Sequence, residues 1–106
     1  MIKTAGANVT PSEVEQVLCA FPEIKAAYVV GVPAAERGED VAASVVLELD
    51  AIAAADDLRA RLKREISAYK VPRHFFVDAE NDLPFTDTGK IDKRRLAALL
   101  AERIAR

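Results

Sequence analysis

The apolar positions of this chain fall into a succession of periodic stretches, each closed by a polar or proline-bearing break. The first is helical. Thr10-Pro11-Ser12-Glu13 places an N-cap residue before a proline suited to the first helical position, with glutamate three residues on, the spacing of a capping box. Val14, Val17, Leu18 and Phe21 follow at i, i+3, i+4 and i+7, one face of a helix, and Pro22 stops the ladder. Residues 24–32 are β-rich and close at Pro33, and residues 41–49 form a second such run. The polar stretch 34–40 between them reads as the loop of an antiparallel pair. Asp56-Asp57 opens a second helix with acids at the positive end of the helix dipole and Leu58, Leu62 and Ile66 on one face. Tyr69-Lys70-Val71-Pro72 breaks it, residues 73–77 read as a third strand, and a last helix from Asp92 to Arg106 carries Leu96, Leu99, Leu100 and Ile104 in one stripe. The order αββαβα predicts an α+β fold: a small, mostly antiparallel three-stranded sheet with flanking helices.

Composition narrows the class. With 106 residues, 51% hydrophobic and 30% charged, the chain reads as one soluble globular domain, residues 1–106. No apolar run reaches the roughly 18 residues that span a bilayer, so no transmembrane helix is expected. The first residues lack the apolar core of a signal peptide. One cysteine and one histidine exclude an intrachain disulfide and give no basis for a metal site or a Cys/His or Ser/His/Asp catalytic set. Cys19, near the end of the first helix, reads as a packing residue. The net charge of −2 argues against nucleic-acid binding. The basic stretch from Arg59 to Arg73, with little aromatic interleaving, reads as a solvated helix face.

The unusual segment is Leu83-Pro84-Phe85-Thr86-Asp87-Thr88-Gly89-Lys90-Ile91-Asp92-Lys93, a polar loop with one glycine and an exposed lysine just before a helix. It is not a phosphate-binding G-x-x-x-x-G-K loop, because the first glycine would fall on Pro84. Read by itself it is a turn bearing a solvated lysine. Read with residues 2–15 (Ile-Lys-Thr-Ala-Gly-Ala-Asn-Val, then Thr-Pro-Ser-Glu-Val-Glu) and with Tyr69-Lys70-Val71-Pro72, it resembles the C-terminal domain of the acyl-adenylate-forming enzymes. The likeness covers nearly the whole chain and is nearer to acyl-CoA synthetases than to peptide-synthetase domains.

That resemblance implies a set of roles. Lys90 matches the family's catalytic lysine, delivered by a loop shaped by Thr86, Thr88 and Gly89. It would offset the repulsion when a carboxylate attacks the α-phosphate of ATP. Gly6, Ala7 and Asn8 match the loop lining the pantetheine tunnel in the later thioester step, and Lys3 matches a position where some members use a second lysine. Glu13 and Glu15 match a Glu-x-Glu pair to which no catalytic role is given. The cofactors implied are ATP, Mg2+ and coenzyme A in the intact enzyme, none of them bound by this domain alone. The implied partners are an N-terminal domain of the same enzyme that carries the ATP and acyl sites, a small carboxylic acid and CoA, and a protein lysine acetyltransferase acting on Lys90. On this reading the chain is a mobile lid that begins just past its hinge, inactive by itself, and cytoplasmic. The alternative is a stand-alone regulatory or interaction module without ligase activity.

Overall fold

The computed structural model describes residues 1–106. It is an α+β structure of five strands and three helices: β1 (Ile2–Thr4), β2 (Ala7–Val9), α1 (Pro11–Cys19), β3 (Ile24–Ala34), β4 (Gly38–Leu47), α2 (Ala55–Leu62), β5 (His74–Val77) and α3 (Lys93–Ala105). The three expected strands are present. The sheet has five because residues 1–9, where no strand was expected, form a β1–β2 hairpin. Strands of three residues are too short to show an alternating pattern.

β4 is the central strand. β3 pairs antiparallel along its length, from Ile24 opposite Leu47 to Ala34 opposite Gly38. On its other edge β1 meets it at Thr4–Gly38, and β5 runs parallel to it from Ala42–His74 to Val45–Val77. Helices cover both faces, which explains why residues 41–46 are all buried and apolar but for Ser44, whose hydroxyl is satisfied by the Asp78 carboxylate. Val41, Ala43 and Val45 face one core with Val14, Leu18, Leu58 and Leu62 of α1 and α2. Ala42, with Val30 and Val32 of β3, faces a second core built on Leu96 and Leu100 of α3. Truncating either of those leucines to alanine would cost about 2–5 kcal/mol.

Several expectations are corrected. The loop between β3 and β4 is only residues 35–37, because Gly38 at φ +81° lets the chain reverse within β-pairing distance. β3 runs through Pro33, which is tolerated because its missing N–H points away from β4, on the free edge. Thr10 is the N-cap and Pro11 the first residue of α1, but the capping box does not form: the Thr10 side chain caps nothing. The Glu13 carboxylate instead meets Lys70 at 2.6 Å, a charge-assisted contact stronger than a neutral cap. α2 ends at Leu62, so Ile66 lies in the turn beyond it, still against the first core. Leu99 is 46% exposed, since Leu96 and Leu100, one turn apart, take the buried stripe. Cys19 is exposed rather than packed. No helix is long and apolar enough to cross a membrane.

Candidate functional site

Lys90 sits at the tip of a miniature hairpin. Phe85 and Ile91 form its only bridge, the Thr86 N–H donates to the Lys90 carbonyl at 2.7 Å, and the Gly89 N–H donates to the Thr86 carbonyl at 2.9 Å. Asp87 and Thr88 therefore occupy the centre of a β-turn, and Gly89 takes the left-handed position after it, at φ +84°. This turn-plus-bulge suits a glycine at that one site, since a side chain there carries a steric penalty. The Thr86 and Thr88 hydroxyls lie 3.0 Å apart and close the tip. Lys90 then projects into solvent, its ammonium unmatched by any carboxylate of the chain.

The hairpin is rooted on both sides. Phe85 stands edge-on to Tyr28 of β3, centroids 6.3 Å apart. The Asp92 N–H donates to the Pro84 carbonyl at 2.9 Å, and the Asp92 carboxylate caps α3 by accepting from the Arg95 N–H at 3.1 Å. Burial raises the pKa of the Tyr28 phenol, consistent with its place under this loop.

The second turn lies at the other end of the chain. Ala5 (φ +50°) and Gly6 (φ +81°) join β1 to β2 in a two-residue turn with both residues left-handed. Ala7 and Asn8 follow on β2, Asn8 opposite Lys3. Lys3 is exposed, and its N–H donates to Glu39 at 3.1 Å. Gly31 makes room for that glutamate: a Cβ there would overlap the Glu39 carboxylate. The Ala5 N–H is tied to the Arg37 carbonyl at 3.0 Å. Arg37 in turn grips the nearly buried Asp40 at 2.7 and 3.2 Å, and His74 Nε2 lies 3.2 Å from the same carboxylate. The Arg37 guanidinium, then desolvation against it, then His74, set a net depression of the Asp40 pKa.

Beside this turn is a cleft of about 230 Å³ lined by Thr4, Ala5, Tyr69, Arg59, Arg73 and the paired Arg37 and Asp40, among others. Arg59 is fixed by its Nε bond to the Pro72 carbonyl at 2.7 Å, which leaves its charge uncompensated. Arg73 is exposed at the rim. Two arginines without acidic partners in a small concavity suit an anion. The basic stretch 59–73 is thus not one solvated face: Arg61 pairs with Glu23 at 2.5 Å and covers Phe21, and Lys70 pairs with Glu13. No three His, Cys, Asp or Glu side chains converge as a metal-ligand cluster.

The arrangement has counterparts among known proteins. The profile of the family described as AMP-binding enzyme C-terminal domain matches residues 13–90. The chain belongs to that family. This AMP-binding C-terminal domain is 40% identical over 97 residues to the mitochondrial medium-chain acyl-CoA ligase ACSF2 of Danio rerio, covering 91% of this chain and 16% of that protein. It superposes on an acyl-CoA synthetase of Brucella canis with a TM-score of 0.80 at 33% identity, covering 97% of this chain and 19% of the other. With apo MatB of Rhodopseudomonas palustris the TM-score is 0.84 at 31% identity, covering 95% and 20%. The chain spans about one fifth of the length of such relatives.

Within the AMP-binding C-terminal domain, Thr86, Thr88, Gly89 and Lys90 come together in one hairpin, and Gly6, Ala7, Asn8 and Lys3 in another. The sequence reading gave the Glu-x-Glu pair of α1 no catalytic role and Glu13 only a capping one, and it missed the partners of both. Two residues apart on a helix, these side chains diverge. Glu13 reaches Lys70, tying α1 to the Tyr69–Pro72 segment. Glu15 accepts from the Val29 N–H at 2.8 Å and pairs with Lys93 at the start of α3. A sequence signal existed: Lys93, Arg94 and Arg95 put three cations where the helix dipole disfavours them, which calls for a compensating acid elsewhere.

Proposed function

We propose that this chain is the mobile C-terminal domain of an ATP-dependent, AMP-forming acyl-CoA synthetase, working with an N-terminal domain that holds ATP, Mg2+ and the carboxylic acid. The observation that carries the reading is Lys90, a cation without a carboxylate partner on a rigid hairpin, in a chain of this family. In the first half-reaction a carboxylate oxygen of the acid attacks the α-phosphorus of ATP and pyrophosphate leaves. Both reactants are anions. The Lys90 ammonium, held between them, offsets their repulsion and stabilises the charge of the transition state. A preorganised donor of this kind contributes roughly 3–4 kcal/mol, about 10²–10³ in rate. It acts as a charge and needs no neighbouring base.

In the second half-reaction the thiol of CoA attacks the acyl-adenylate carbonyl and AMP leaves. Here the domain presents its other turn. Gly6 and Ala7 bring bare backbone to a narrow pantetheine arm, Asn8 and Lys3 flank it, and the cleft with Arg59 and Arg73 beside it offers cations to the phosphates of CoA. Acetylation of Lys90, which stands clear of the surface, would remove its charge and block only the first step. The isolated chain, holding neither ATP nor acid, is expected to release no pyrophosphate.

The test is Lys90→Ala in the full-length enzyme. Adenylation, followed by ATP–pyrophosphate exchange, is expected to fall about 10²–10³-fold, while thioester formation from supplied acyl-adenylate stays near the parent rate. Equal losses in the two steps would remove Lys90 from the role assigned.

A further inference from the structure

The Lys90 side chain is exposed and makes no ion pair, so its position depends on what holds its hairpin. The hairpin ends at Asp92, and the next residue, Lys93, is the first of α3. The Lys93 ammonium donates to the Val29 carbonyl at 2.9 Å and pairs with the Glu15 carboxylate. Glu15 also accepts from the Val29 N–H at 2.8 Å. The two side chains therefore close a ring on the free edge of β3, with Lys93 and Glu15 satisfying the carbonyl and the N–H that a neighbouring strand would have taken. The adjacent residue, Tyr28, is the one that seats Phe85 at the hairpin's other foot. Both feet of the Lys90 hairpin thus stand on the same dipeptide, Tyr28-Val29, one through a ring contact and one through this ion-paired ring.

We propose that Glu15 and Lys93 are positioning residues for adenylation: they fix the start of α3 on β3 and so aim Lys90, touching no reactant themselves. This rests on the role given to Lys90 above. A purely structural use, blunting an exposed strand edge, would make the same contacts, so the test must separate the two.

The experiment uses the full-length enzyme and a panel of straight-chain fatty acids, with the acid of fastest pyrophosphate exchange as the probe. Lys93→Met is expected to slow adenylation about tenfold or more, since small misplacements of a catalytic group are costly. Thioester formation from the supplied acyl-adenylate should stay within about twofold of the parent, because the β1–β2 turn shares none of these contacts. Lys93→Arg, which retains the charge and the donor, should recover most of the loss. In a Lys90→Ala background Lys93→Met should add nothing, because there is no longer a cation to aim. Hydrogen exchange at the Thr86 amide, bonded across the hairpin neck, should quicken in Lys93→Met and in Glu15→Gln. Losses that multiply with Lys90→Ala, or that fall equally on both half-reactions, would reduce the ring to a structural edge cap and overturn the proposal. A Lys90→Ala enzyme slowed about 100-fold beside a Lys93→Met enzyme of parental adenylation would overturn the positioning role of Glu15 and Lys93 alone. A Lys90→Ala enzyme of unchanged adenylation would overturn the reading of Lys90 instead.

Discussion

The two glycine turns of this domain are built alike at the root and differently at the tip. Each is rooted by a carboxylate. Glu15 holds Lys93 and the edge of β3 beneath the Lys90 hairpin, while Asp40 holds Arg37, whose carbonyl carries the Ala5 N–H of the other turn. At the tips they diverge. Gly89 takes the one left-handed position its turn demands, and threonine hydroxyls 3.0 Å apart close the loop under a lysine. In the other turn an alanine sits at φ +50° beside Gly6, and no charged side chain crowns it. The turn for which we propose the delivery of a charge is braced, its one left-handed position filled by glycine. The turn proposed to let a ligand pass close to backbone keeps its side chains small, even where alanine is a poor choice for the conformation.

That contrast can be broken from either side. After Lys90→Ala, the largest effect expected is on the opposite step. Gly6→Val puts a branched side chain at φ +81° on the surface proposed for the thioester step. It should slow transfer to CoA by about 100-fold, with pyrophosphate exchange nearly unchanged. Parallel loss of both steps would mean the turn serves the fold and not the thiol. Next, Arg73→Ala should raise the KM for CoA about tenfold, the worth of one charge-assisted contact, and leave the KM for ATP alone. Dephospho-CoA and pantetheine as comparison substrates would show which phosphate is lost; an unchanged KM for CoA would empty the cleft of this role.

A smaller effect is expected at the root. Asp40→Asn should cost the chain about 1–2 kcal/mol, read from urea unfolding at neutral pH. Because the folded-state pKa of Asp40 lies below its ordinary value, chiefly through Arg37, its stabilisation is present above the usual aspartate range near pH 4 and fades as pH falls through the folded value. Below that the parent and the variant should converge. A stability gap that stayed constant into acid would detach the effect from this carboxylate. Smallest of all, Ala5→Asn supplies a residue that tolerates the left-handed region and should raise stability by a few tenths of a kcal/mol to about 1 kcal/mol. A lower unfolding midpoint would show that Ala5 is held for a contact and not for its size.

Much of the architecture was legible in the chain. The spacing of Val14, Leu18, Leu58, Leu62, Leu96 and Leu100 marked three helix faces, and each of these side chains is buried. The β-rich run within β4 was also readable, though not that helices cover both of its faces. The loop carrying Lys90 could be located by composition and by its likeness to a family. Illegible were the β1–β2 hairpin, too short for periodicity, and the exposure of Leu99 and Cys19, which depends on where the packed stripe happens to centre. The capping box failed for a comparable reason: Glu13 had a stronger partner 57 residues away, and a local motif says nothing of distant competitors.

The chain by itself determined its helix faces, its central strand and the turn that needs Gly89, because these follow from the period of apolar residues and from backbone sterics within a few positions. Only the tertiary structure decided how those parts are aimed. It brought Glu15 to Lys93 across 78 residues, Asp40 to His74 across 34, and Arg37 beneath Ala5. Such pairings are set by the order of strands around β4 and by which face each helix covers. No local pattern encodes them, since an ion pair depends on a few ångströms of separation and the sequence records only the distance along the chain.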